Sequence, residues 1–138
     1  KLNKLKWITP YYPKDPKKEI NLLKNNIEIL KKDKRKKMVI TNYQFFSLIL
    51  EEDLNIPNRW SLYHPNIYPI KNNKYVKYYK EFFNKNLQSN NVEVIYIIKS
   101  KPNENIKIEQ FEIHLDDVCI NTKVINELLS VYEIKNCN

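Results

Sequence analysis

Hydrophobic positions along the chain change period several times, and each change predicts an element. Ile20, Leu23, Ile27 and Leu30 recur at helical spacing, which places an apolar stripe on a helix running from about Pro16 to Lys31. Asp15-Pro16 supplies the start, an Asp N-cap with Pro at the first helical position. Met38-Val39-Ile40-Thr41 reads as a short buried strand. Asn42 then reads as the cap of a helix over roughly 43–50, and Pro57 as the exit into an irregular loop from Asn58 to Ile70. A second amphipathic helix begins at Lys74. Its side chains Tyr75, Tyr78, Tyr79, Phe82, Phe83 and Leu87 share one side and are predicted as core, with Lys77, Lys80 and Lys85 largely opposite. Val92 to Ile98 is a near-continuous apolar run, the pattern of a central parallel strand covered on both faces. Ile108, Phe111, Leu115, Val118 and Cys119 fit a further helix, although 111–115 also alternates like a strand; helix is preferred. Leu129 to Lys135 is the last strand.

Strands alternating with helices predict an α/β fold, a small three-layer domain with a short, mostly parallel sheet flanked by helices. At 138 residues one such domain accounts for the chain. Ahead of it, Trp7, Tyr11 and Tyr12 between Pro10, Pro13 and Pro16 read as an extended segment laid on the domain, with Trp7 as anchor. No apolar run approaches the roughly 20 residues of a membrane span. A chain starting at Lys1 without a Met is expected to be a domain excised from a larger protein or a processed product.

Composition changes how the charge is weighed. The chain has no Gly and no Ala, and Lys outnumbers Arg 22 to 2. Lys, Asn, Ile, Tyr and Phe are all encoded by A/T-rich codons, so part of the net charge of +8 reads as coding bias on a solvated surface rather than as a nucleic-acid footprint. The run Lys31-Lys32-Asp33-Lys34-Arg35-Lys36-Lys37 reads as a solvated basic turn at a helix C-terminus, with contact to anionic lipid headgroups as the sharper alternative. Without Gly, left-handed backbone falls to Asn or Asp, and Asn25-Asn26, Asn72-Asn73 and Asn90-Asn91 are the expected places. Gly-rich nucleotide loops and a nucleophile elbow cannot be written in this sequence.

Candidate chemistry gathers after the first strand. Asn42, Tyr43 and Gln44 follow its carboxyl end, where open α/β sheets place ligands. Arg59, Trp60 and His64 lie in the next loop, and the Arg59 guanidinium suits a carboxylate or phosphate. These six residues form the predicted recognition cleft. The bland reading has Asn42 as a cap, Gln44 satisfying backbone and Arg59 paired with the Glu51-Glu52-Asp53 run. Those three acids are the only clustered carboxylates, and consecutive acids cannot all face one site. Two Cys and two His without a CxxC predict no metal site. Cys119 and Cys137 are either buried thiols or a disulfide pinning the final strand. A loop of this length would contribute about 3 kcal/mol on the chain-entropy model, and the disulfide is preferred; it would imply an oxidising compartment.

Trp7-Ile8-Thr9-Pro10-x-Tyr12-Pro13, Lys37 to Phe45, Asn58-Arg59-Trp60, Tyr78 to Phe83 and Val92 to Tyr96 together resemble the C-terminal soluble domain of bacterial multi-spanning membrane glycosyltransferases. These are of the GT-C type, related to dolichyl-phosphate-mannose protein mannosyltransferases. The resemblance implies sugar transfer from a polyprenyl-phosphate donor at the extracytoplasmic (periplasmic) face of the cytoplasmic membrane. It implies catalytic acids on loops of the membrane part, outside these residues, so no catalytic residue and no cofactor is carried over. Asn42 stands where a more acidic side chain is expected, which speaks against catalysis there. The implied role is accessory, positioning an acceptor or glycan. The implied partners are the membrane part of the same polypeptide, anionic lipid headgroups or a lipid-linked sugar, and no nucleic acid. A stand-alone α/β binding module without catalytic activity is the competing expectation, and a basic nucleic-acid binder is the third, disfavoured because Lys rather than Arg dominates and no nucleic-acid motif is present.

Overall fold

A computed structural model describes residues 9, 11–57, 69, 72–102 and 119–135. Helix α1 spans Pro16–Lys32. Asp15 caps it as its sequence predicts, the side chain accepting a hydrogen bond from the Lys18 N–H at 3.1 Å. Its buried positions are Glu19, Leu23, Asn26 and Leu30. The buried stripe is therefore rotated from the one predicted, toward two polar residues and away from Ile20 and Ile27. Asn25 and Asn26 are helical, which corrects their assignment to left-handed backbone.

Strand β1 is Lys37–Thr41 and is buried throughout. Its outer edge is covered: the Val39 N–H donates to the Leu54 carbonyl at 2.9 Å and the Asn55 amide donates to the Lys37 carbonyl at 2.9 Å. That covering closes an edge that would otherwise pair with another chain. Helix α2, Phe46–Leu50, starts later than predicted, and Asn42 does not cap it. Phe45 occupies the cap without a side-chain bond, while Asn42 turns to Ser100. The helix ends on Glu51 in the left-handed conformation. Left-handed backbone among the described residues falls at Glu51, Asn55 and Asn91, so only Asn91 fulfils the expectation from the Asn pairs.

Helix α3, Val76–Ser89, buries Phe83 and Leu87, with Tyr79 partly buried against the same cluster. Tyr75, Tyr78 and Phe82 are exposed. The predicted six-residue core stripe was too wide: a helix on a sheet buries an arc of about 100°, here the 79-83-87 row. A turn at residues 90–93 leads from α3 into strand β2, Val94–Ile98, also buried throughout.

Strands β3, Cys119–Val124, and β4, Leu129–Lys135, complete a sheet of order β1-β2-β4-β3. β1 and β2 are parallel, with Lys37 beside Val94 and Thr41 beside Ile98. β2–β4 and β4–β3 are antiparallel. The sheet is mixed, which corrects the mostly parallel expectation. The cause is β3: Cys119 opens a strand, not the end of a helix, and a four-residue turn to β4 forces an antiparallel pair. Residues 108–118 of the predicted helix lie outside the described residues. β2 is apolar throughout because both its faces are buried, whichever way its neighbours run.

Buried side chains divide into two clusters. Leu23, Leu30, Val39, Phe46, Leu54, Val94, Tyr96, Ile98, Leu129 and Val131 form one. Met38, Ile40, Phe83, Leu87, Val92, Ile95, Ile97 and Tyr132 form the other. Alternate residues of β1 and β2 go to opposite clusters, as the two-residue period of a strand requires.

Candidate functional site

Where β1 and β2 end, the chain leaves the sheet through residues 42–45 and 99–102. Thr41 is fully buried and its Oγ1 accepts a hydrogen bond from the Tyr43 N–H at 3.1 Å. This short side-chain turn bends the backbone away from the strand. It brings Asn42 to Ser100, the amide Nδ2 donating to the Ser100 Oγ at 3.3 Å. The Gln44 amide lies 3.5 Å from the Thr41 carbonyl, and Gln44 itself is exposed. Asn42, Tyr43 and Gln44 are thus gathered at the carboxyl end of the parallel pair.

Behind them is a buried polar group. The Tyr43 hydroxyl donates to the Glu19 carboxylate at 2.6 Å and lies 3.4 Å from the Ser100 carbonyl. Glu19 is buried, so this charge-assisted bond is one of the strong ones. Burial, the Glu19 hydrogen bond and the Glu19 charge all raise the Tyr43 pKa, so the hydroxyl stays protonated and donates. Tyr12 packs nearby. Its pKa is pushed up to about 12, first by burial and then by the charges of Glu127 and Glu19. Its hydroxyl is buried without a hydrogen-bond partner among the described residues. Lys18 pairs with Glu127 at 2.9 Å, and the Asn126 amide donates to the Asn26 Oδ1 at 2.7 Å, tying α1 to the β3–β4 turn.

Sequence reasoning found the Asn42–Gln44 segment and missed Glu19, Asn26 and Ser100. Glu19 sits in the first turn of a helix, where an acid is ordinarily read as matching the helix dipole. The available signal was spacing: 19, 23, 26 and 30 also fall on one helical face. Arg59, Trp60 and His64 lie outside the described residues, as does Cys137, and of Cys119 only the strand position is described.

The opposite end of the sheet carries a second network. Arg35 donates from Nε to the Asp33 Oδ1 at 3.0 Å, from Nη2 to Oδ2 at 2.7 Å and from Nη1 to the Glu133 Oε1 at 3.0 Å. The Tyr96 hydroxyl donates to the same Asp33 Oδ2 at 2.5 Å. Lys37 is buried and pairs with Glu52 at 2.6 Å. The reading of 31–37 as one solvated basic turn is corrected for these two members. Arg35 and Lys37 are committed to internal pairs, while Lys31, Lys32, Lys34 and Lys36 stay exposed.

Chemically, the carboxyl-end site offers the side-chain amides of Asn42 and Gln44 at its surface, with the Thr41 and Ser100 hydroxyls buried behind them. Such groups recognise hydroxyl-rich ligands by hydrogen bonding. Among the described residues, no group of three or more His, Cys, Asp or Glu is placed to hold a metal, and no helix is long and apolar enough to cross a membrane. Compared with protein-family models, curated proteins and solved structures, the chain matches none.

Proposed function

We propose that the chain is a non-catalytic accessory domain of a membrane glycosyltransferase that uses a polyprenyl-phosphate sugar donor, and that it helps to position a glycan or acceptor. Its membrane part would belong to the same polypeptide, at the extracytoplasmic face of the cytoplasmic membrane. One observation carries the binding role. Asn42, Tyr43 and Gln44 stand with Ser100 at the carboxyl ends of two parallel strands, the place where α/β sheets take ligands. The glycosyltransferase setting rests on the quoted motifs. The same reading takes the sheet as the middle of three layers, with α1 and α2 on one face and α3 on the other. The division of the core into two clusters supports it.

The test is a titration of the isotope-labelled chain with a short-chain polyprenyl-phosphate mannose and with mannose alone, followed by amide chemical shifts. Perturbation centred on Asn42, Gln44 and Ser100, and lost in Asn42→Leu, is the expected result. Perturbation elsewhere, or none, removes the recognition role. Multiple hydrophobic spans encoded in frame before Lys1 are expected as well. A start codon close by would return the chain to the stand-alone binding module.

A further inference from the structure

The two ends of the sheet differ in what they expose. At the carboxyl end of the parallel strands lies the β3–β4 turn, whose Leu129 pairs with Ile98. The start of α3 reaches the same end. The 90–93 turn sends α3 back along β2, and its 14 residues cover about 21 Å, more than the five-residue β2. Exposed large apolar side chains come from both: Tyr75 and Tyr78 at 57% and 69% on the first turns of α3, and Val124, where β3 meets the turn, at 69%.

Lysines flank them. Lys74 stands 5.0 Å over the Tyr75 ring. Together with Lys77 and Lys80 it lines a shallow groove along the first turns of α3, in which Glu81 is the one acid. Lys14, Lys17, Lys101 and Lys123 are also exposed, on segments that reach this end.

We infer that this end of the domain, centred on the first two turns of α3, is a docking surface for an anionic lipid bilayer. The occupant follows from charge and chemistry. Tyrosines favour the headgroup level, with the ring in the apolar zone and the hydroxyl in water. Lysines beside them meet lipid phosphates, and aliphatic Val124 gains only from an apolar medium. Single-stranded nucleic acid would use the aromatics and lysines but leave that aliphatic side chain exposed. The surface is distinct from the basic run at 31–37 and stands independently of the glycosyltransferase reading.

The test is co-sedimentation of the full chain with phosphatidylcholine–phosphatidylserine vesicles and with phosphatidylcholine vesicles. Wild type is expected to bind the anionic vesicles far better. Each lysine near an anionic surface contributes about fivefold in affinity, so Lys74→Gln with Lys77→Gln lowers binding roughly 25-fold. Lys31→Gln with Lys34→Gln, at the other end, leaves it within about twofold of wild type. Tyr75→Ser with Tyr78→Ser weakens binding without changing net charge. Three outcomes overturn the inference. The first is equal loss from the two lysine pairs, which is attraction by net charge. The second is no binding to either vesicle. The third is weakened binding of a single-stranded oligonucleotide by the α3 lysine pair while vesicle binding stays unchanged.

Discussion

Asp33 is the C-cap of α1, where a carboxylate opposes the helix dipole, and yet it is the hub of the best-connected ion network in the described chain. Burial raises its pKa, but hydrogen bonds from Arg35 and Tyr96, with the Arg35 charge, outweigh burial and lower it from 3.8 to about 2. One decade of proton affinity is about 1.4 kcal/mol, so the ionised carboxylate stabilises the fold by about 2 kcal/mol. The Asp33 side chain is 12% exposed but the Arg35 side chain is 39% exposed, so solvent screens part of the attraction and about 2 kcal/mol is an upper figure. The folded-state pKa is depressed. The stabilisation is therefore complete above 3.8 and is lost as pH falls through the folded value near 2.

Asp33→Asn mimics the protonated state. It is expected to be up to about 2 kcal/mol less stable than wild type at pH 6, with the gap closing between pH 4 and pH 2. Urea unfolding at a series of pH values measures this directly. The two proteins differ only at residue 33, so contributions common to both cancel from the difference. A gap that stays constant down to pH 2, or no gap at pH 6, would refute the reasoning. Tyr96→Phe adds a check. Because its hydroxyl donates to Asp33, its cost in the Asp33→Asn background should fall short of its cost in wild type by at least about 0.5 kcal/mol.

Tyr43→Phe strips the buried Glu19 of a donor at 2.6 Å and is expected to cost about 1.5–3 kcal/mol. Tyr12→Phe removes a buried hydroxyl with no partner among the described residues and should cost less than about 0.5 kcal/mol; equal costs in denaturant unfolding would deny the distinction. Glu52→Gln leaves the Lys37 ammonium, 2% exposed, without its carboxylate. Lys37→Met instead leaves the half-exposed Glu52 to water, so Glu52→Gln should be the more destabilising by about 1–2 kcal/mol. Glu51 holds φ at 52° with a Cβ, and Glu51→Gly is expected to recover about 1 kcal/mol, raising Tm by about 4 °C. An unchanged or lowered Tm would show that the left-handed cap carries no strain.

The sequence made α1, β1, α3, β2 and β4 legible because each has a start signal, a period or an unbroken apolar run. β3 was not legible. Its residues Asn121, Thr122 and Lys123 are polar and exposed on an edge strand, so neither an apolar run nor alternation marks them, and missing β3 also hid the antiparallel half of the sheet. In the site, Asn42 to Gln44 followed from the rule that ligands gather at strand carboxyl ends. Glu19 and Ser100 meet Tyr43 across 24 and 57 residues, and local pattern carries no information about such contacts. The Arg35 network was lost for a different reason. A lysine-rich background makes one arginine look like more surface charge, although the guanidinium alone has the fork geometry to bind a carboxylate side-on.

That distinction between lysine and arginine divides the molecule functionally. At the amino end of the parallel strands, Arg35 and Lys37 are tied to Asp33, Glu133 and Glu52, so two of the six basic residues of the run 31–37 are committed to internal pairs. At the carboxyl end, Lys74 and Lys77 stand exposed beside uncovered tyrosines. A net charge of +8 is therefore a poor guide to where a partner binds, because charges committed to internal pairs are unavailable to it. The asymmetry predicts opposite consequences for the two ends. Charge removal at Arg35 should lower stability and leave vesicle binding intact. Removal at Lys74 and Lys77 should lower vesicle binding and leave stability within about 0.5 kcal/mol. Measuring both quantities on both variants decides it. If the Arg35→Gln protein, folded at neutral pH, lost vesicle binding as the α3 lysine pair does, the division between a structural end and a binding end would fail.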